Sequence, residues 1–172
     1  LSETHDFSAN GRSLRGRAGT RYNSLPEEIL VVGMERVWKP NVTVAAIIEH
    51  DGRFLLVEEE TADGLRFNQP AGHLEPGESL ADAAAREALE ETAHRFRPES
   101  LVGVYQWPRP DGAVTYLRFA FAGALLGAES GRSLDAGIVR TVWMSLEEVE
   151  ATAPRHRSPL ILQCIQDYLA GL

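Results

Sequence analysis

The segment from Gly72 to His94, GHLEPGESLADAAAREALEETAH, constrains the fold of this chain more than any other. Within it, Ser79 and Asp82 have the spacing of a helix N-cap and its third helical residue, and LADAAAREALEETA consists mostly of strong helix formers. The sequence therefore predicts a helix that begins directly after Ser79.

Three glutamates of this predicted helix crowd one of its faces. Residues three and four positions apart are neighbours on a helix, so the side chains of Glu87, Glu90 and Glu91 lie close together. Each pair of like charges destabilises an isolated helix by about 0.2–0.5 kcal/mol. A bound Mg²⁺ or Mn²⁺ would offset this repulsion, because hard divalent cations prefer oxygen ligands.

A solvated acidic face is the common explanation for three helical glutamates taken alone. In this chain, however, Arg86 stands beside Glu87 and Glu78 lies at the start of the helix. Gly72 opens a loop whose backbone can approach the same end of the helix. The combination favours a binding function for the acidic face.

Two strands joined by a tight turn are predicted N-terminal to this helix. The runs at 42–49 and 53–59 are rich in apolar and β-branched residues, and they flank Asp51-Gly52, a pair that readily adopts positive φ. A further short strand is expected to extend to Gln69 at most, because Pro70 lacks a backbone donor.

The C-terminal half predicts more strands and two helices. Strands are expected on both sides of the turn at 110–112 and again at 139–145, and Ser145 with Glu148 forms a capping box. A last helix is predicted from Pro159, ending at Gly171, with an apolar stripe that packs on the sheet: Leu160, Ile161, Cys164, Ile165, Tyr168 and Leu169. The outline is an α/β or α+β fold with a mixed sheet.

Composition bounds the remaining possibilities. A chain of 172 residues is expected to form one domain, and a net charge of −8 argues against binding a nucleic-acid backbone. No apolar run approaches the roughly 20 residues needed to span a bilayer. Cys164 is the only cysteine, which favours a reducing, cytoplasmic compartment. Residues 1–36 lack helix or strand periodicity, so we predict a flexible tail there and the domain at 37–172.

The segment opening at Gly72 resembles the signature of the Nudix hydrolases, a series of Gly, Glu, Arg-Glu, an aliphatic residue and Glu-Glu at fixed spacings. The matching residues are Gly72, Glu78, Arg86, Glu87, Ala88, Glu90 and Glu91. The closing glycine and last aliphatic position of the signature are Ala93 and His94 here. If the helix ends in a left-handed residue, Ala93 costs about 1 kcal/mol more than glycine.

The resemblance covers 39–171 and implies an α/β/α sandwich with a mixed central sheet. It implies a metal-dependent hydrolase of phosphoanhydride bonds, with Mg²⁺ as the cofactor and Mn²⁺ as a possible substitute. Within the family the sequence is most similar to the NudJ-type phosphatases, which release phosphate from nucleoside tri- and diphosphates and from a thiamine-precursor pyrophosphate.

The resemblance also suggests roles for individual residues. Glu87, Glu90 and Glu91 are expected to bind the metal, with the Ala71 carbonyl oxygen as a further ligand. Glu87 is the first choice for the base that deprotonates the attacking water. Arg86 is expected to orient a glutamate, most plausibly Glu78, because a guanidinium binds a carboxylate with two parallel hydrogen bonds.

Substrate-binding residues are harder to assign, and the candidates are Phe67, Gln106, Trp107 and Arg118. An aromatic plane can stack on a base and an arginine can hold phosphate, although ordinary core packing is the commoner role for aromatic residues. Asp135, with Glu129 as its rival, is a candidate for a further acid from a later loop.

Two other functions stay open at this point. An ADP-ribose-type pyrophosphatase would cut a dinucleotide-like substrate into two monophosphates. A nucleotide-sensing module would bind without turnover, but it would not need the intact Glu87, Glu90 and Glu91. The expected partner is a small phosphorylated molecule, with no nucleic acid and no membrane, and the protein is expected to be a monomer or homodimer.

Overall fold

Eight strands and three helices follow one another in residues 37–171, the part of the chain that the computed structural model describes. In chain order they are β1 (Asn41–Ile47), β2 (Glu49–His50), β3 (Arg53–Thr61), β4 (Gly64–Asn68), β5 (Ala71–His73), α1 (Leu80–Thr92), β6 (His94–Pro108), β7 (Thr115–Ala128), β8 (Ile138–Ser145), α2 (Leu146–Ala151) and α3 (Leu160–Leu169). The tail predicted at 1–36 lies outside the described residues.

The strands form two four-stranded sheets. The first has the order β5-β1-β7-β6 and is mixed, because β1 and β7 run parallel while the other pairs are antiparallel. In the second sheet β3 pairs with β2, β4 and β8, all antiparallel. The mixed α+β architecture predicted from the sequence is therefore confirmed.

Helices cover both faces of the first sheet. On one face, Ala83 and Ala84 of α1 pack with Val44 of β1, and Ala88 packs with Ala46. On the other face, α3 packs through an apolar stripe on a cluster that includes Ala45, Ile47, Ala120 and Ala122. Because side chains alternate along a strand, β1 serves both layers at once.

The predicted hairpin and helix starts match the structure closely. Asp51 and Gly52 have φ of 52° and 74°, the positive values that a tight two-residue hairpin requires. Ser79 caps α1 by accepting a hydrogen bond from the Asp82 amide. The capping box of Ser145 and Glu148 is complete.

The short strand β4 ends at Asn68, within the predicted limit, but two other segments differ from expectation. A strand, β5, does form after Pro70, and the Pro70 carbonyl accepts a hydrogen bond of 2.9 Å from the Ala46 amide. Pairing at that position needs only an acceptor, so the missing donor of proline does no harm. At the other end, Leu169 is 53% exposed and does not pack on the core, because in the last turn of α3 it is Tyr168 that faces the core and contacts Phe54. None of the three helices within 37–171 has the length and hydropathy of a membrane span.

Candidate active site

Helix α1 lies beside the edge strand β5 and presents its acidic face there. Its alanines pack inward on the sheet, and Glu87 and Glu91 lie at the margin of that buried face, in the same row as Ala83. A cleft of about 1080 Å³ opens at this edge and continues onto the sheet. Its lining includes Glu87, Glu90 and Glu91 from α1 and Ala71 and Gly72 from β5.

Gly72 allows Glu87 to approach the backbone of β5. A Cβ atom at this position would overlap both carboxylate oxygens and Cδ of Glu87. The Glu87 side chain is 10% exposed, and burial raises the pKa of its carboxyl although the neighbouring Arg86 opposes that rise. Glycine is thus required here for close packing rather than for an unusual backbone angle.

Arg86 holds three carboxylates together. Its Nε and Nη2 donate to the two oxygens of Glu78 at 3.0 and 2.8 Å, a bidentate contact. Its Nη1 donates to Glu87 at 2.8 Å and to Glu90 at 2.9 Å, and Nη2 also donates to the His73 carbonyl at 3.1 Å. The contact with Arg86 lowers the pKa of Glu78. The guanidinium therefore offsets much of the repulsion predicted for this face.

Glu91 is as deeply buried as Glu87, with exposed fractions of 9% and 8%. It accepts a hydrogen bond of 2.9 Å from the Ala71 amide. Burial nevertheless raises the pKa of its carboxyl to about 8, and the charges of Glu87, Glu59 and Asp135 raise it further. The carboxyl groups of Glu59, Glu87, Glu91 and Asp135 thus lie close together in the cleft, and their repulsion adds to burial in favouring the protonated form of Glu91.

The register of β5 determines where the Ala71 carbonyl lies. Hydrogen bonds from Ala46 to Pro70 and from Leu74 to Val42 flank the pairing of β5 with β1. Antiparallel pairs alternate, so Ala71 is a non-hydrogen-bonded position whose amide and carbonyl face away from β1. The carbonyl oxygen is therefore on the same open edge as the amide that binds Glu91.

The helix ends in a left-handed residue, as the signature's closing glycine suggests. Ala93 has φ 55° and ψ 19°, and its amide donates to the Leu89 carbonyl. Its own carbonyl accepts from the Glu129 amide at 2.7 Å. The turn thus has the left-handed geometry that a glycine would adopt. Replacement of the signature's closing glycine by Ala93 therefore adds backbone strain without changing the course of the chain.

Of the two later acids, Asp135 reaches the cleft. It lines the cleft, and its amide donates to the Glu90 carbonyl at 3.0 Å. Glu129 instead pairs with Arg95 and Arg132 at the surface. The structure thus brings Asp135 to the acids of α1, and leaves Glu129 in an ion-pair cluster.

Two of the four candidate substrate residues line the cleft. Trp107 does so, stacked on Tyr116 with ring centroids 5.9 Å apart, and so does Arg118. Phe67 is buried in the core with the Arg155 guanidinium over its ring, and it does not reach the cleft. Gln106 is exposed and neighbours Trp107 in β6, so its side chain projects from the opposite face of the sheet.

Several cleft residues were not found by reasoning from the sequence. Glu59 of β3 binds Arg157 with one oxygen, and its Oε1 is buried without a partner. Thr43 and Ser158 also line the cleft with buried, unpartnered hydroxyls. Each comes from a segment far from the acidic helix, and no local pattern marks them.

The acidic face of α1 offers oxygen ligands to a divalent cation. Within the described range 37–171, no three Asp, Glu, His or Cys side chains converge as a ready-made metal cage. Arg86 stands between Glu87 and Glu90 instead. The donor chemistry nevertheless fits a hard divalent cation, because every free ligand is a carboxylate or carbonyl oxygen and Glu59 retains a buried oxygen without a partner.

Comparisons with known proteins agree with this geometry. The Nudix domain family model matches residues 38–163. The chain is 41% identical to the phosphatase NudJ of Escherichia coli over 135 residues, which is 78% of this chain and 87% of that protein.

Solved structures show the same fold. The chain is similar to a Nudix hydrolase from Nitrosomonas europaea, with 54% identity, a TM-score of 0.75, and coverage of 77% of this chain and 90% of that one. An ADP-ribose pyrophosphatase from Streptococcus suis, at 22% identity and a TM-score of 0.56, covers 76% of this chain and 92% of its own and shares the fold.

Proposed function

Because the chain belongs to the Nudix hydrolase family and is an enzyme that hydrolyses pyrophosphate bonds, we propose that it is a Mg²⁺-dependent phosphatase of nucleoside tri- and diphosphates or related small pyrophosphates. Mn²⁺ is the expected substitute, since Nudix hydrolases generally use divalent metal ions. The similarity to a relative named a phosphatase supports release of phosphate over cleavage of an ADP-ribose-type substrate.

The observation that carries this proposal is the arrangement of acids around Arg86. Glu87 and Glu90 each give one oxygen to the guanidinium, and Glu91 is held by the Ala71 amide. The remaining carboxylate oxygens of Glu87, Glu90 and Glu91, together with the Ala71 carbonyl oxygen, would hold the metal in the cleft. When bound, the metal would neutralise phosphate charge and act as a Lewis acid.

The protein's own side chains then have separate tasks. Glu87 is proposed as the base that accepts a proton from the attacking water, because it lies against the backbone of β5 and is held there by Arg86. Arg86 and Glu78 fix the position of Glu87 through the shared guanidinium. Asp135 adds a negative charge to the cleft from the loop before β8, close to Glu91.

The organic end of the substrate is assigned to the aromatic side of the cleft. Trp107 and Tyr116 form a stacked pair there, which offers a flat apolar surface to a base or another ring.

Cys164, the only cysteine, is buried and free, and on that basis we infer a cytoplasmic location.

The test is phosphate release from nucleoside triphosphates, nucleoside diphosphates and ADP-ribose, with Mg²⁺ and with excess chelator. We expect Mg²⁺-dependent release of phosphate, reduced at least about 100-fold in Glu90→Gln and in Glu91→Gln. Glu99→Gln is the matched control, because Glu99 pairs only with Arg97 at the surface of β6. Full activity in chelator or in both glutamine variants would contradict the proposal, and two monophosphates from ADP-ribose as the main activity would support the alternative.

A further inference from the structure

A buried guanidinium with almost no partners lies on the floor of the cleft. Arg118 of β7 is only 8% exposed, and its Nε is buried without a hydrogen bond. Its Nη1 donates one long hydrogen bond, 3.5 Å, to Gln69 Oε1. None of the salt bridges in residues 37–171 includes Arg118. A buried charge without an ion partner is costly, so a missing anionic partner is implied.

Two hydroxyl groups in the cleft are likewise buried without a hydrogen-bond partner. Thr43 is the direct neighbour of Arg118 in the parallel pairing of β1 with β7. Both Thr43 and Ser158 are 5% exposed, line the cleft and have side-chain oxygens that lack a hydrogen-bond partner. Three unpartnered donors from three separate segments therefore border the same cleft.

The start of α3 borders the cleft here, where the Ile161 amide makes one long hydrogen bond of 3.5 Å to the Ser158 carbonyl. Leu160, the first residue of the helix, lines the cleft, and the N-cap residue Pro159 makes no side-chain capping bond. The first amides of a helix have no intrahelical acceptor and attract anions.

The charged groups around Arg118 do not remove the need for a ligand. Burial lowers the pKa of its guanidinium, and the nearby Cys164, Glu59 and Glu91 act in the opposite direction. Glu59 is held by Arg157 and Glu91 by the Ala71 amide. Each acid has one oxygen engaged in this way and neither forms a salt bridge with Arg118, although the second oxygen of Glu59 has no partner.

We propose that Arg118, Thr43, Ser158 and the first turn of α3 form a subsite for a terminal phosphate group of the substrate. Such a group carries about two negative charges and several acceptor oxygens, which complement a guanidinium, two hydroxyls and helix amides. The assignment rests on the proposed function, in which the pyrophosphate occupies the same cleft. It selects substrates that end in a phosphomonoester over those that are esterified at both ends, such as ADP-ribose.

The experiment measures binding of inorganic phosphate to the metal-free full-length chain by titration calorimetry in chloride buffer. We expect saturable binding to the wild type, weakened at least about tenfold in Arg118→Met, because a charge-assisted contact is lost. Ser158→Ala should weaken it severalfold without removing a charge. Arg97→Met, the same change at an exposed arginine, should bind as the wild type does.

Arg118→Lys provides a check on folding, since it retains a cation and should bind phosphate more tightly than Arg118→Met. Phosphate binding that is absent from the wild type, or equal in the wild type, Arg118→Met and Ser158→Ala, would overturn the subsite.

Activity is measured separately, as the ratio of kcat/KM for ADP to kcat/KM for ADP-ribose. That ratio should fall in Arg118→Met and stay constant in Arg97→Met. Normal Mg²⁺-dependent hydrolysis with an unchanged ratio would refute the subsite alone. Phosphate binding through Arg118 in a protein that hydrolyses nothing would refute the proposed function and leave the subsite in place.

Discussion

Replacing Gly72 by alanine tests the position of a single carboxylate. Gly72 is not among the described residues with positive φ, so alanine fits its backbone. The added Cβ would overlap the Glu87 carboxylate, which is the far end of a flexible side chain. We expect Glu87 to swing away from Arg86 while β5 stays in place.

The structure indicates how much stability and how much activity Gly72→Ala should lose. Glu87 loses a charge-assisted hydrogen bond to Arg86, worth about 1.5–3 kcal/mol, and removal of a strand glycine returns about 0.5–1 kcal/mol. The free energy of unfolding should therefore fall by about 0.5–2.5 kcal/mol. Because a displacement of about 1 Å in a catalytic group costs about 100-fold, kcat/KM should fall by about that factor.

The assay pairs urea unfolding with Mg²⁺-dependent phosphate release. Gly103→Ala is the matched control, because its Cβ would also meet the end of a side chain, at 2.6 Å from the Tyr105 hydroxyl oxygen, and its φ is likewise not positive. Tyr105 hydrogen-bonds Asp167 and does not line the cleft. A comparable loss of stability with full activity is expected there. Equal activities of Gly72→Ala and the wild type would refute the reasoning about Glu87.

Three further changes test other contacts. Arg86→Lys cannot reproduce the bidentate contact and should lower the free energy of unfolding by about 1–3 kcal/mol in urea titrations. Ala93→Gly removes the strain of an alanine with left-handed backbone angles, so the free energy of unfolding should rise by up to about 1 kcal/mol. The midpoint of thermal unfolding should rise with it. Equal or lower stability of the variant would contradict the presence of strain. Arg140 and Arg155 lower the pKa of Glu58 from 4.5. Its ion pairs thus stabilise the fold above that pH, and this contribution disappears as pH falls through the lower folded value. Glu58→Gln should therefore destabilise the protein at pH 7, and its difference from the wild type should shrink as the pH falls below 4.5, as measured by unfolding over that range.

Local features of the sequence predicted whole elements. The positions of Glu87, Glu90 and Glu91 on one face follow from helical periodicity alone. The turn at 51–52 and the cap at Ser79 were predictable for the same reason, because residues within a few positions of each other set the backbone angles there.

Contacts between elements were not predictable in this way. Phe67 and Trp107 are both aromatic, yet only Trp107 lines the cleft, because the packing of separate segments decides which ring is buried. Gln106 adjoins Trp107 in sequence but projects from the other face of the sheet. Glu59 carries no local signal of its place beside Glu91.

The sequence by itself determined that a row of acids would share one helical face and that a glycine would precede it at a fixed spacing. Only the tertiary structure decided which groups the acids contact, such as the Ala71 amide that binds Glu91. It alone also made Thr43 the strand neighbour of Arg118. The physical reason is that spacing along one element is set by its own backbone geometry. Neighbours across elements depend on strand register and layer packing, which form only when distant segments fold together.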